Sequence, residues 1–104
     1  MSTPREVKQG SQTQGIDETV TYSVDFTNWT ASPASPSVIV KDVSVGGTDV
    51  TTIVMPSGSP SVSGAVVTLP PLKLLTIHHR YRVETKIVMG TDLCECFFWV
   101  DAEL

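Results

Sequence analysis

Helix-favouring aliphatics are scarce in this chain of 104 residues: alanine and leucine together number only 10, against 33 for valine, isoleucine and threonine. β-branched side chains lose rotamer freedom in a helix and fit a pleated strand, so the imbalance argues against a helical bundle. Lysine and arginine are also few, 7 against 11 aspartates and glutamates, for a net charge of -4. Phosphate recognition needs clustered cations, so nucleic acid is not an expected partner. No apolar run approaches the roughly 18 residues of a membrane helix, and no membrane partner is expected. The only cysteines are Cys94 and Cys96. Two apart on an extended strand, they point the same way, too far apart to bridge without distorting the backbone. Both are expected as free thiols, in keeping with a reducing compartment at synthesis. The segment from Met1 to Gln14 has no hydrophobic stretch of the signal-peptide kind. Synthesis in a cytoplasm without export by that route is the expectation.

Hydrophobic residues make up 40% of the chain, enough for a core and too many for disorder. A chain of this size makes one domain, with a folded surface of roughly 5,700 Å². Residues 1–15 are polar and aperiodic, and read as a flexible arm with room for one short strand near Glu6–Lys8. From Thr19 to Phe26, the residues Val20, Tyr22, Val24 and Phe26 alternate with polar ones, as in a half-buried strand. A Pro/Ser loop follows, then a second strand over Ser37–Val45 whose alternation slips, which predicts a bulge near Lys41 or Asp42. Gly46-Gly47 turns the chain into a third strand, Val50–Met55. Gly64–Leu69, Arg80–Met89 and Leu93–Ala102 complete the set, separated by turn residues and with no helical segment between them. Strands at such spacing without long crossovers predict an all-β, antiparallel immunoglobulin-like β-sandwich of about seven strands in a single domain, residues 16–104. A small closed barrel is the alternative.

Two segments carry a family resemblance. LTIHHRYRV, from Leu75 through Tyr81 to Val83, resembles the approach to the sixth strand of fibronectin type III and related domains. There a leucine precedes a tyrosine by six residues and the tyrosine hydroxyl bonds the connecting backbone. The usual Pro-Gly of that connection and the paired inter-sheet cysteines are missing here. ETVTYSVDFTNW, from Glu18 to Trp29, resembles a group of small phage and prophage proteins of immunoglobulin-like fold, the fibre-tail adaptor or tail-associated proteins. The likeness spans about Val7 to Glu103. It implies a structural part of a virion, with other virion proteins or copies of the same chain as partners and the virion as its location.

Catalytic and metal chemistry find little support. His78-His79-Arg80 places neighbouring side chains on opposite sides of an extended chain, so a solvated loop is the reading. Cys94 and Cys96 supply half of a tetrahedral metal site at most, and read as core thiols. Asp42, Asp49, Asp92 and Asp101 show no paired spacing for acid–base work. No G-x-S-x-G elbow and no phosphate-cradling loop occur. No enzymatic activity and no cofactor are expected. Asn28-Trp29-Thr30 matches a glycosylation acceptor, but Trp29 reads as a structural residue closing one end of the core. Tyr22, Leu75 and Tyr81 join it as structural residues. In the last strand Cys94, Cys96, Phe98, Val100 and Ala102 share one face, and Glu95, Phe97, Trp99 and Asp101 the other. If the first face is core, Phe97 and Trp99 point outward and form the candidate interface. The expected function is therefore assembly of a phage or prophage virion through protein–protein contacts. A bacterial immunoglobulin-like module that binds protein or carbohydrate through its loops is the alternative.

Overall fold

The alternation of β-branched and polar residues is realised as two packed sheets. The computed structural model describes residues 5–26 and 33–103. Its strands are β1 (Arg5–Gly15), β2 (Ser23–Asp25), β3 (Ala34–Asp42), β4 (Thr48–Asp49), β5 (Ser61–Ser63), β6 (Val66–Thr68), β7 (Arg80–Met89) and β8 (Asp92–Glu103). Five form a sheet in the order β1-β8-β7-β3-β4, and three form a second in the order β2-β6-β5. The chain is an all-β sandwich. Val24 and Val67 from the smaller sheet, with Phe26 and Leu69 just past its strands, share the core with Val40, Val83, Ile87, Cys94, Cys96, Phe98 and Val100 from the larger, all buried. Leu72, Leu75, Val54 and Met55 close the core from the connections. The surface, 5717 Å², is that of a compact monomer of this length.

Among the described residues every strand pairing is antiparallel except one: β1 lies parallel to β8. A parallel pair requires a long crossover, and here the crossover is the rest of the domain, so no short helical link betrays it in the sequence. Residues 5–15, expected as a flexible arm with at most a short strand, thus form the edge strand of the larger sheet. The pattern hides it because the inward positions of its second half are Gln12 and Gln14, opposite Val100 and Ala102, in place of apolar residues.

Three other elements differ from expectation. The alternation across Lys41–Asp42 slips because β3 ends at Asp42, not because it bulges there. Val43–Val45 form a 3-10 turn whose N-cap is Asp42, accepting from the Ser44 N–H at 3.1 Å. Gly46 and Gly47 follow with φ of +68° and +77°, a conformation open to glycine at no steric cost. Val50–Met55 is not a strand: Thr51–Val54 is one turn of helix, α1. The Thr51 hydroxyl accepts from the Val40 N–H and donates to Asp49 Oδ1, so it diverts the chain from the ladder. The Thr51 hydroxyl and then its backbone N–H, both donating to Asp49 Oδ1, hold the Asp49 carboxyl below its ordinary range. In the first predicted strand only Ser23–Asp25 pair continuously, with a separate bridge at Val20–Leu72. The facing is as the alternation requires, since Val24 and Phe26 are buried and Thr19, Thr21, Ser23 and Asp25 exposed.

Candidate functional site

β7 and β8 are long, uninterrupted and in register from Arg80–Asp101 to Met89–Asp92. Their alternation turns Tyr81, Val83, Thr85 and Ile87 inward, and with them Cys94, Cys96, Phe98, Val100 and Ala102. The opposite parity puts Arg80, Arg82, Glu84 and Lys86 beside Glu95, Phe97, Trp99 and Asp101 on the outer face. Phe97 and Trp99 therefore point outward, yet each is only partly exposed.

Their cover is arginine. Arg82 lies opposite Trp99 and diagonal to Phe97, and its guanidinium carbon sits 4.0 Å from the Phe97 ring centre. Arg80 reaches diagonally over Trp99 at 4.4 Å. Such diagonal neighbours lie within reach of long side chains on a pleated face. The two rings meet edge to face at 5.5 Å and 77°. Carboxylates anchor the cations: Arg80 Nε is 3.5 Å from Asp101, Arg82 Nε 3.2 Å from Glu84, and Lys86 Nζ 3.3 Å from Glu95. Lys41 on β3 adds a 3.8 Å approach to Glu84. Arg82 Nε is shielded from solvent, and its geometry toward Glu84 gives charge attraction without an aligned hydrogen bond. Partly exposed ion pairs and cation–π contacts are each worth about 1 kcal/mol or less, so this lattice orients the aromatics more than it stabilises the fold.

The structural residues gather elsewhere. Tyr81 is buried, and its hydroxyl accepts from the Thr76 N–H at 2.8 Å in the connection leading to β7, where Leu75, the residue before Thr76, is buried as well. Tyr22 packs against Phe98 at 5.3 Å between ring centres. Burial, with the Glu18 charge second, raises its phenol above the ordinary range. Cys94 and Cys96 are free, buried thiols. Burial, with Cys94 adjacent, pushes the Cys96 thiol up to about 12. Trp29 and the Asn28-Trp29-Thr30 motif lie outside the described residues.

Two arrangements are invisible to sequence reasoning. Gln14 is fully buried; its amide donates to Leu72 O at 2.7 Å and Glu18 O at 3.0 Å, and its carbonyl accepts from the Tyr22 hydroxyl at 3.0 Å. His79, expected in a solvated loop, is half-buried with Nδ1 2.7 Å from Asp42 Oδ2. The Arg80 N–H donates to Ser44 Oγ beside it, so this cluster ties the end of β3 to the start of β7. His78 is exposed, as a loop residue should be. Neither arrangement carries a sequence signal, because each needs a partner far off in the chain, Leu72 for Gln14 and Asp42 for His79. Among the described residues no three of His, Cys, Asp and Glu converge as metal ligands, and no helix is long and apolar enough to cross a membrane. No family model, curated protein or solved structure matches this chain.

Proposed function

We propose that this protein is a non-enzymatic structural component of a phage or prophage virion, an immunoglobulin-like sandwich that assembles through protein–protein contacts. Its partners are neighbouring virion proteins or copies of itself. The observation that carries the reading is the outer face of β7 and β8. It presents Trp99 and Phe97 beneath Arg80 and Arg82, rimmed by Glu95 and Asp101. Tryptophan and arginine are the residues most enriched at energetic centres of interfaces. The guanidiniums resolve the solubility liability of two outward aromatics in the free protein, and a docked surface would complete their desolvation. The virion context rests on the resemblance of Glu18–Trp29 to small phage tail proteins.

Trp99→Ser tests the reading. Circular dichroism should be unchanged and the melting temperature nearly so, while sedimentation-detected association or incorporation into particles falls. A large loss of melting temperature with association intact would make Trp99 a folding residue and end the proposal. Binding to a host protein or sugar, with no incorporation into particles, would favour the surface-module alternative.

A further inference from the structure

A second region of interest is the seat of β1, the backbone edge of β8 that runs alongside Phe97, Trp99 and Asp101. We propose that β1 is an exchangeable strand, seating on β8 of its own chain when the molecule is isolated and on β8 of a second copy when copies are crowded. It goes beyond the assembly reading by naming a segment and its receptor.

β1 is the end strand of its sheet and, among the described residues, pairs with β8 alone. From Ser11 the ladder runs unbroken, Ser11 opposite Trp99 through Gly15 opposite Glu103, after an irregularity between Glu6 and Ser11. Among the described side chains β1 gives the core no apolar residue. Its inward anchor is Gln14, bonded to Leu72 O and Tyr22 Oη of the body. On exchange, β1 of a second copy restores the same backbone ladder and the Gln14 bonds to Leu72 O and Tyr22 Oη, while the Gln14 bond to Glu18 O opens with the hinge. The net charges are of opposite sign: residues 5–15 hold Arg5 and Lys8 against Glu6, while the rest of the chain holds five cations and ten anions.

The hinge is short. Between Gly15 and the Val20–Leu72 bridge the chain folds back, with the Glu18 N–H on Gly15 O at 3.0 Å and the Gly15 N–H on Glu18 Oε1 at 2.6 Å. Opening this turn extends the five steps from Gly15 to Val20 to at most about 17 Å, long enough to hand β1 to an adjacent copy and too short for a distant one. Exchanging one identical element between copies is a low-cost route to dimers. A tethered strand competes at an effective concentration on the order of millimolar, so the closed form prevails in dilute solution and exchange grows where copies are packed together.

Thr13 and Asp101 are directly opposed on the outward side of the β1–β8 pair, which gives the test. Thr13→Cys and Asp101→Cys are made as separate full-length proteins, one of them tagged, mixed from micromolar to millimolar, and oxidised. The double variant in one chain serves as the geometric control. Buried Cys94 and Cys96 react slowly, and peptide mass spectrometry identifies which thiols are joined. The expected result is a disulfide-linked dimer joining position 13 of one copy to position 101 of the other, its yield rising with concentration, while the double variant links within single chains when dilute. If the double variant links in cis at every concentration and the mixture yields no such joint, exchange does not occur and the proposal falls. If the double variant does not link either, the parallel seat itself is wrong and the proposal falls with it. The assembly reading is tested on a separate variant, Trp99→Ser, with Asp101 and β1 intact and incorporation as its readout, so the two proposals fail separately.

Discussion

The inner and outer faces of the β7–β8 ribbon use the same strands and the same two-residue period for opposite purposes. Inward, Tyr81, Val83, Ile87, Cys94, Cys96, Phe98 and Val100 are buried, and their removal from water stabilises the ribbon. Outward, Phe97 and Trp99 are comparable in size to Phe98, but arginines cover them in place of a second sheet. Phe97 and Phe98 are adjacent, and parity alone separates a core residue from a surface one. An aromatic side chain in a strand has no fixed role; the layer that covers it decides.

Substitutions on the two faces should separate most at the aromatics. Phe98→Ala opens a cavity under the smaller sheet and should destabilise by about 3–5 kcal/mol, measured by denaturant unfolding. Phe97→Ala should cost far less, and equal losses at both positions would erase the distinction between the faces.

Alkaline titration probes the inner face next. The Cys96 thiol is raised to about 12 in the folded protein from an ordinary 9.0. Between these values the unfolded chain has released a proton that the folded one keeps, so stability is complete below pH 9 and declines as pH rises. The slope should approach about 1.4 kcal/mol per pH unit, with Tyr22 adding in the same direction above its ordinary 10.0. Cys96→Ala should flatten the Cys96 part, and an unchanged slope in that variant would show that the thiol is not the source.

Removing one hydroxyl is a smaller perturbation. Tyr81→Phe leaves the Thr76 N–H without its acceptor and should destabilise by about 1 kcal/mol. A neutral result would mean that water replaces the bond. Smallest, and opposite in sign, is Thr85→Val. The Thr85 hydroxyl is buried on the inner face without a hydrogen-bond partner, so the isosteric methyl should raise stability by up to about 1 kcal/mol. A loss of stability there would imply a partner for the hydroxyl, such as a buried water.

Legibility followed periodicity. β7 is bounded as its alternation predicts, at Arg80 and Met89, and β8 extends the expected Leu93–Ala102 by one residue at each end. Both are long, with one face wholly apolar but for Thr85, so a register slip would expose every core residue at once. The facing of Phe97 and Trp99 was readable for the same reason. Their cover was not, because Arg80 and Arg82 reach them only through the pairing of two strands. β4 and β5 were missed since two- and three-residue strands rich in Ser, Thr and Asp have no pattern of their own.

The sequence by itself determined the chemistry of each strand face: which residues can leave water, where glycines turn the chain, and that β-branched residues exclude a helical bundle. These are local properties, set by side-chain volume, polarity and backbone freedom. Only the tertiary structure decided what lies across from what. It placed β1 parallel to β8, buried Gln14 where three polar partners meet it, joined Asp42 to His79, and made a helical turn of Thr51–Val54. The first three depend on groups distant in the chain and the helical turn on the Val40 N–H meeting Thr51, and a polar residue becomes a core residue only when partners satisfy its hydrogen bonds.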